Sequence, residues 1–305
     1  MNCMRRISRV MPMFALLCGL LTTATLYAQE KGKEEPNAYP LRYNFTQGES
    51  VTYRVISLDS LVIWDVDPRT VIRQRVERIT YRCDTILPEG YGMTMILEDV
   101  VVRERVDSLP WSMKTEHPWV GQPIRFLMGV DGNRLRLRDT LAYPGSMPGA
   151  PFQPMVIPHL GGVDTVSPGA GSIFDRDMWL LDNVYPPVKW QGGGLRKIRG
   201  VGDTLGHHAI VVELSETGQV WYSPPYTGKN SLTTHTVVNG SGTYWISLDA
   251  GYPVAGDHQL IGNITFTSTR PDGTEEERSG RQIISMIFSL DDLSSTLDSV
   301  FEETP

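Results

Sequence analysis

Cysteine is nearly missing from this 305-residue sequence, which has three: Cys3, Cys18 and Cys83. Once an N-terminal leader carrying the first two is removed, an intrachain disulfide is excluded. Cys83, in Ile79-Thr80-Tyr81-Arg82-Cys83, falls on the apolar line with Ile79 and Tyr81, the setting of a buried and inert thiol. Histidine is sparse too, and none of the six (His117, His159, His207, His208, His235, His258) has the spacing of a zinc-binding helix. The serines in glycine settings, Gly240-Ser241-Gly242 and Gly169-Ala170-Gly171-Ser172, lack the Gly-x-Ser-x-Gly frame of a nucleophile elbow. Neither Gly192-Gly193-Gly194 nor Gly200-Val201-Gly202 has the spacing and following helix that a phosphate cradle needs. The acid pairs Asp175/Asp177 and Asp291/Asp292 fit a solvated loop and a helix N-terminus. These absences point to a protein that is not an enzyme and needs no metal or cofactor.

Long apolar runs are confined to the N-terminus. Arg5, Arg6 and Arg9 precede an apolar stretch over residues 13–21 that ends at Thr22 and Thr23, with the small residue Ala28 before a cleavage point. This is the layout of a cleaved secretory signal over residues 1–28, and no later run is long enough to cross a membrane. Bases are outnumbered by acids, 28 to 35, and loss of the leader deepens the formal charge from −7 to −10. Such a balance argues against nucleic acid or an anionic membrane as partner. The expectation is therefore an exported protein, periplasmic or extracellular, and not an integral membrane protein.

What the sequence has in quantity is period-two alternation, the mark of antiparallel strands with one face on a core. After a polar tether at 29–40, residues 41–45 and 51–55 alternate around the turn Thr46-Gln47-Gly48-Glu49, which predicts a hairpin. Long strands follow over residues 71–83 and 91–106, and Arg73, Arg75 and Glu77 interrupting the first suggest that one of its ends meets water on both faces. Asp131-Gly132 marks another hairpin. The firmest hairpin spans 237–268, where Tyr244, Ile246 and Leu248 alternate on one arm, Leu260, Ile264 and Phe266 on the other, and Asp249-Ala250-Gly251-Tyr252-Pro253 makes the turn. Six prolines between 142 and 171 rule out a regular element and make that segment a crossing between two β lobes, 41–141 and 172–290. Leu290, Leu293, Leu297 and Phe301 recur at helical spacing, which predicts a short helix or tail over 291–305. The fold class expected is mostly β: long curved antiparallel sheets in two half-barrel-like lobes. Its seven tryptophans, mostly beside Pro/Gly segments, are read as plugs of the open ends.

The run Gly242-Thr243-Tyr244-Trp245-Ile246-Ser247-Leu248-Asp249-x-Gly251-Tyr252-Pro253, after several long strands in an exported chain, resembles the curved half-barrels of the lipoprotein-localisation carriers and of exported bacterial proteins similar to them. The opening Tyr39-Pro40-Leu41-Arg42-Tyr43-Asn44-Phe45-Thr46-Gln47-Gly48-Glu49 looks like the start of one such domain-of-unknown-function family. The resemblance implies a concave sheet holding an acyl chain or other apolar ligand, and it carries over no functional residue. On that reading Tyr244, Ile246, Leu248, Leu260, Ile264 and Phe266 would line the ligand site, and Phe152 and Ile157 of the crossing segment would cover it as a movable lid. The other expectation is an envelope scaffold with a fully packed core that meets another envelope protein.

Overall fold

A computed structural model describes residues 38–65, 67–117, 119–137, 156–162, 164–180, 188–223 and 231–291. Fourteen strands are present among them. In chain order they are β1 (Tyr39–Leu41), β2 (Ser50–Trp64), β3 (Arg69–Leu87), β4 (Gly90–Val106), β5 (Ser112–Lys114), β6 (Pro123–Met128), β7 (Arg134–Leu137), β8 (Asp164–Val166), β9 (Gly171–Leu180), β10 (Val188–Thr204), β11 (His207–Tyr222), β12 (Ser231–Ser247), β13 (Pro253–Thr269) and β14 (Glu275–Leu290). The protein is all-β and its named strand pairs are antiparallel, as the alternation requires. The tail expected as a helix lies outside the described residues apart from Asp291.

The expected lobes are not separate sheets. Twelve strands form one sheet in the order β7-β6-β4-β3-β2-β14-β13-β12-β11-β10-β9, with β5 attached to β4. The join is β2 with β14, a ladder running from Tyr53↔Leu290 to Trp64↔Ser279. Strands β2–β7 and β9–β14 therefore supply two wings of one surface. Periodicity specifies what each strand buries but not which neighbour it chooses, so this long-range pairing leaves no local trace in the sequence.

The sheet is strongly rolled. Eight strand spacings separate β6 from β10, which laid flat would be about 38 Å. Yet one residue bridges the two ends: the Leu160 N–H donates to the Asp131 carbonyl just beyond β6 at 2.8 Å, and the Leu160 carbonyl accepts from Arg196 Nη1 on β10 at 2.6 Å. Bulges at Arg78/Ile79, Cys83/Thr85 and Ile198/Gly200 add the local twist that such curvature needs. On the inner face Tyr53, Val55, Ile79, Tyr81, Met95, Ile124, Phe126, Val212, Tyr244, Ile246, Met286 and Phe288 meet in one buried core.

The opening segment does not form the predicted hairpin. Tyr43 and Phe45 are buried as the alternation demands, but the Tyr43 N–H goes to Val130 and the Asn44 N–H to Gly251, and β1 pairs with β8. Alternation here marks which side chains enter the core, while the backbone finds partners on three separate elements. The Asp131-Gly132 and 237–268 hairpins are present as β6–β7 and β12–β13. Gly132 has φ +83°, and a Cβ there would lie 2.3 Å from the Pro158 carbonyl oxygen, so this turn has room for glycine alone. Cys83 is buried, and burial pushes its thiol above the ordinary cysteine value.

Candidate ligand-binding face

The crossing segment differs from the expected lid. Phe152 lies outside the described residues, but Val156, Ile157 and Leu160 are all in the central core, with Ile157 only 3% exposed and Leu160 0%. The strap they form is tied on several sides. Tyr43 Oη donates to the Pro158 carbonyl at 2.8 Å, His159 Nε2 is 3.0 Å from Asp131 Oδ2, and Phe174 packs edge-on to the His159 ring. Local apolar density in a Pro-rich segment is compatible with a cover or with a piece of core. Which of the two it is depends on what the backbone carbonyls and histidine reach in the folded chain.

Burial alone would push the Asp131 carboxyl up, but hydrogen bonds from His159 and from the Asn133 N–H, with the charge of His159, outweigh it and hold the carboxyl below its ordinary value. A depressed carboxylate contributes stability above its unfolded-state pKa and loses it as pH falls through the folded value. Asp131→Asn is accordingly expected to cost about 1–3 kcal/mol at pH 7. In urea titrations from pH 7 to pH 3, the gap between wild type and variant should narrow as the acid limit is approached. A gap independent of pH would mean that the carboxylate does not hold the strap.

The residues expected to bind a ligand divide into two groups. Tyr244 and Ile246 belong to the sealed core beside Phe288, and Leu248 packs at its margin. Leu260 joins Val220, Val238 and Ile284 in a second buried cluster, and Ile264 is buried near it. Phe266 is half-buried on the same inner face, lying over Gly280, where a Cβ would come within 3.2 Å of its ring. Register extends this patch across the sheet: Ile264 faces Gly280, Gly280 faces Ile63, and Leu61 faces Val71. Leu61, Ile63, Val71 and Val102 are all partly exposed. The outer face of the same strands is mixed, with Asn263, Thr265, Arg281 and Ser285 beside Ile261, Ile283, Leu58 and Val62.

Between the sealed core and this patch lies a polar belt. One lateral row runs Lys114, Val102, Arg75, Ser57, Met286, His258, Gly242, Leu214 and Arg196. The next runs Glu104, Arg73, Asp59, Ile284, Leu260, Gly240 and Glu216. Arg75 is 5% exposed and Glu77 3%, and Arg75 Nη2 donates to Glu77 Oε1 at 2.5 Å. Arg73 donates to Glu104 Oε2 through Nε at 3.0 Å and Nη2 at 2.6 Å, and its Nη1 is 3.5 Å from Asp59 Oδ2. Gln282 donates to Asp59 Oδ1 at 2.9 Å. Burial raises both Asp59 and Glu77 above ordinary carboxyl values in spite of these partners, whereas the hydrogen bond from Arg73 pulls Glu104 below. The pKa of His117, on the loop that carries the buried Trp119, is lowered by burial and by the positive Arg75.

On β12 and β13 the belt continues as Tyr244 Oη to His258 Nδ1 at 2.6 Å and His258 Nε2 to Glu216 at 3.4 Å. The missing side chain of Gly240 opens this contact, since a Cβ there would sit 2.9 Å from both Glu216 Cγ and His258 Nε2. Sequence reasoning missed the belt because charged residues on an alternating strand ordinarily mark a solvated face. Arg75 and Glu77 are instead buried on the core side, where each answers the other's charge. The available signal was their parity: both stand in register with Ile79 and Tyr81.

Among the described residues no helix is long and apolar enough to cross a membrane. Comparison of the chain with protein-family models and with curated proteins finds no match.

Proposed function

We propose that the protein is an exported, non-catalytic protein of the bacterial cell envelope that binds an apolar or lipid-like ligand on the inner face of its rolled sheet. One observation carries this reading: Phe266, Leu61, Ile63 and Val71, from three strands of the join between the wings, form a partly exposed apolar surface on the inner face of the rolled sheet. Isolated apolar side chains at a surface are ordinary, but a contiguous patch inside a curved wall is the usual lining of a small-molecule site. The resemblance of residues 242–253 to carrier half-barrels agrees with it. The site of uptake on this reading is the wall around Leu61 and Phe266, with Leu260 and Ile264 behind it, and Tyr244 and Ile246 belong to the scaffold.

Leu61→Asp should lower the uptake of a neutral naphthylamine fluorescent probe at least tenfold and leave the thermal midpoint within about 2 °C, because Leu61 is partly solvated already and the change costs little folding free energy. Equal uptake by wild type and variant, or none by either, would remove the binding reading. The alternative of an envelope scaffold, favoured by the dense packing of strap and core, would then stand.

A further inference from the structure

Arg75 is deeply buried in the belt, and its guanidinium is incompletely used. Nη2 is spent on Glu77, but Nε, shielded from solvent, has no hydrogen-bond partner among the described residues. A buried donor of this kind costs free energy unless something accepts from it. Its position on the sheet says what that something would be attached to. Arg75, Arg73 and Val71 are successive inner-face residues of β3, and Val71 stands opposite Leu61 in the apolar patch. From Arg75 to the Arg69–Ile63 pair at the far end is six residues, about 20 Å of strand, the reach of a medium to long alkyl chain.

The charge of the belt limits the chemistry of the polar end. At the Arg75 end of the belt, Arg73, Arg75 and Lys114 stand against Asp59, Glu77 and Glu104, three charges of each sign, with Lys114 Nζ 3.6 Å from Glu104. A free carboxylate or phosphate at Arg75 would bring a further negative charge beside the buried Glu77, in a cluster whose charges already balance, which is unfavourable. A carbonyl oxygen satisfies the Nε–H and brings no charge.

Resting on the reading that the inner face binds an apolar ligand, we infer that the ligand is an uncharged acyl ester or amide, with its chain along Leu61, Val71 and Phe266 and its carbonyl accepting from Arg75 Nε. The belt then discriminates by head group, favouring an acylated molecule over both the free fatty acid and a plain alkyl chain.

The test uses three ligands of equal chain length, 1-lauroylglycerol, 1-O-dodecylglycerol and laurate, each displacing the naphthylamine probe from the purified protein. The ester should bind at least tenfold more tightly than the ether and than laurate. In the Arg75→Met/Glu77→Met variant, which removes the pair together and leaves no lone buried charge, the advantage of ester over ether should vanish while the ether binds as before. Equal affinity of ester and ether in the wild type, tighter binding of laurate than of the ester, or an ester advantage retained by the double variant would each overturn the head-group assignment. Probe uptake that none of the three displaces would overturn it as well. Absence of probe uptake by the wild type would overturn the binding reading with it, which separates the two failures.

Discussion

Arg75→Met alone should lower the stability of the protein at pH 7 by about 3–5 kcal/mol, whereas Arg75→Met/Glu77→Met should be close to neutral or stabilising. Both side chains are almost fully buried, and each is the near partner of the other's charge. Removing one leaves a carboxylate desolvated and unanswered, and removing both exchanges an ion pair for packed methionine of similar length. The pH dependence provides a second check. The Glu77 carboxyl is already raised by burial, against the effect of Arg75, and loss of the arginine raises it further. An acid with a raised folded pKa gives stability that is complete below its unfolded value and is lost as pH rises through the folded one. The single variant should therefore recover part of its deficit between pH 7 and pH 5, as followed by urea midpoints. A deficit equal in single and double variants would show that the pair is not coupled.

Ile157→Ser is expected to cost about 3–5 kcal/mol, the sum of a core cavity and a hydroxyl placed among apolar neighbours. For a domain of this size that lowers the thermal midpoint by roughly 2–4 °C per kcal/mol. A movable lid would give a different result, since a cover that opens contributes little to global stability. The distinction rests on bonds made on both sides of Ile157 by its own strap: Pro158 to Tyr43, His159 to Asp131, and Leu160 to Asp131 and Arg196. Scanning calorimetry decides it, and an unchanged midpoint would restore the lid.

The strands, their inner faces and most turns can be read along the chain because they are set by local chemistry. Period two places Tyr244, Ile246, Leu260, Ile264, Met286 and Phe288 on one face whatever their neighbours, and Gly132 and Gly251 adopt positive φ because their turns demand it. Cys83 is likewise the only cysteine among the described residues, and it is free. The site is harder. Leu260, Ile264 and Phe266 share one face, as their alternation places them, yet Leu61 and Val71, which the proposed wall adds to them, lie some two hundred residues earlier, and no periodicity links a residue to a partner at that distance.

Tertiary structure alone decided three matters. It joined β2 to β14, which made one rolled sheet from two apparent lobes; antiparallel pairing depends on edges meeting in space, and any strand with a matching apolar face could have served. It placed residues 156–160 of the Pro-rich crossing in the core, because a proline that donates no hydrogen bond still offers its carbonyl, and that of Pro158 accepts from Tyr43, more than a hundred residues away in sequence. It also buried Arg75 and Glu77. A charge on a strand reads as solvent-facing unless an opposite charge stands beside it in a place that water cannot reach, and that place exists only once the sheet has rolled around it.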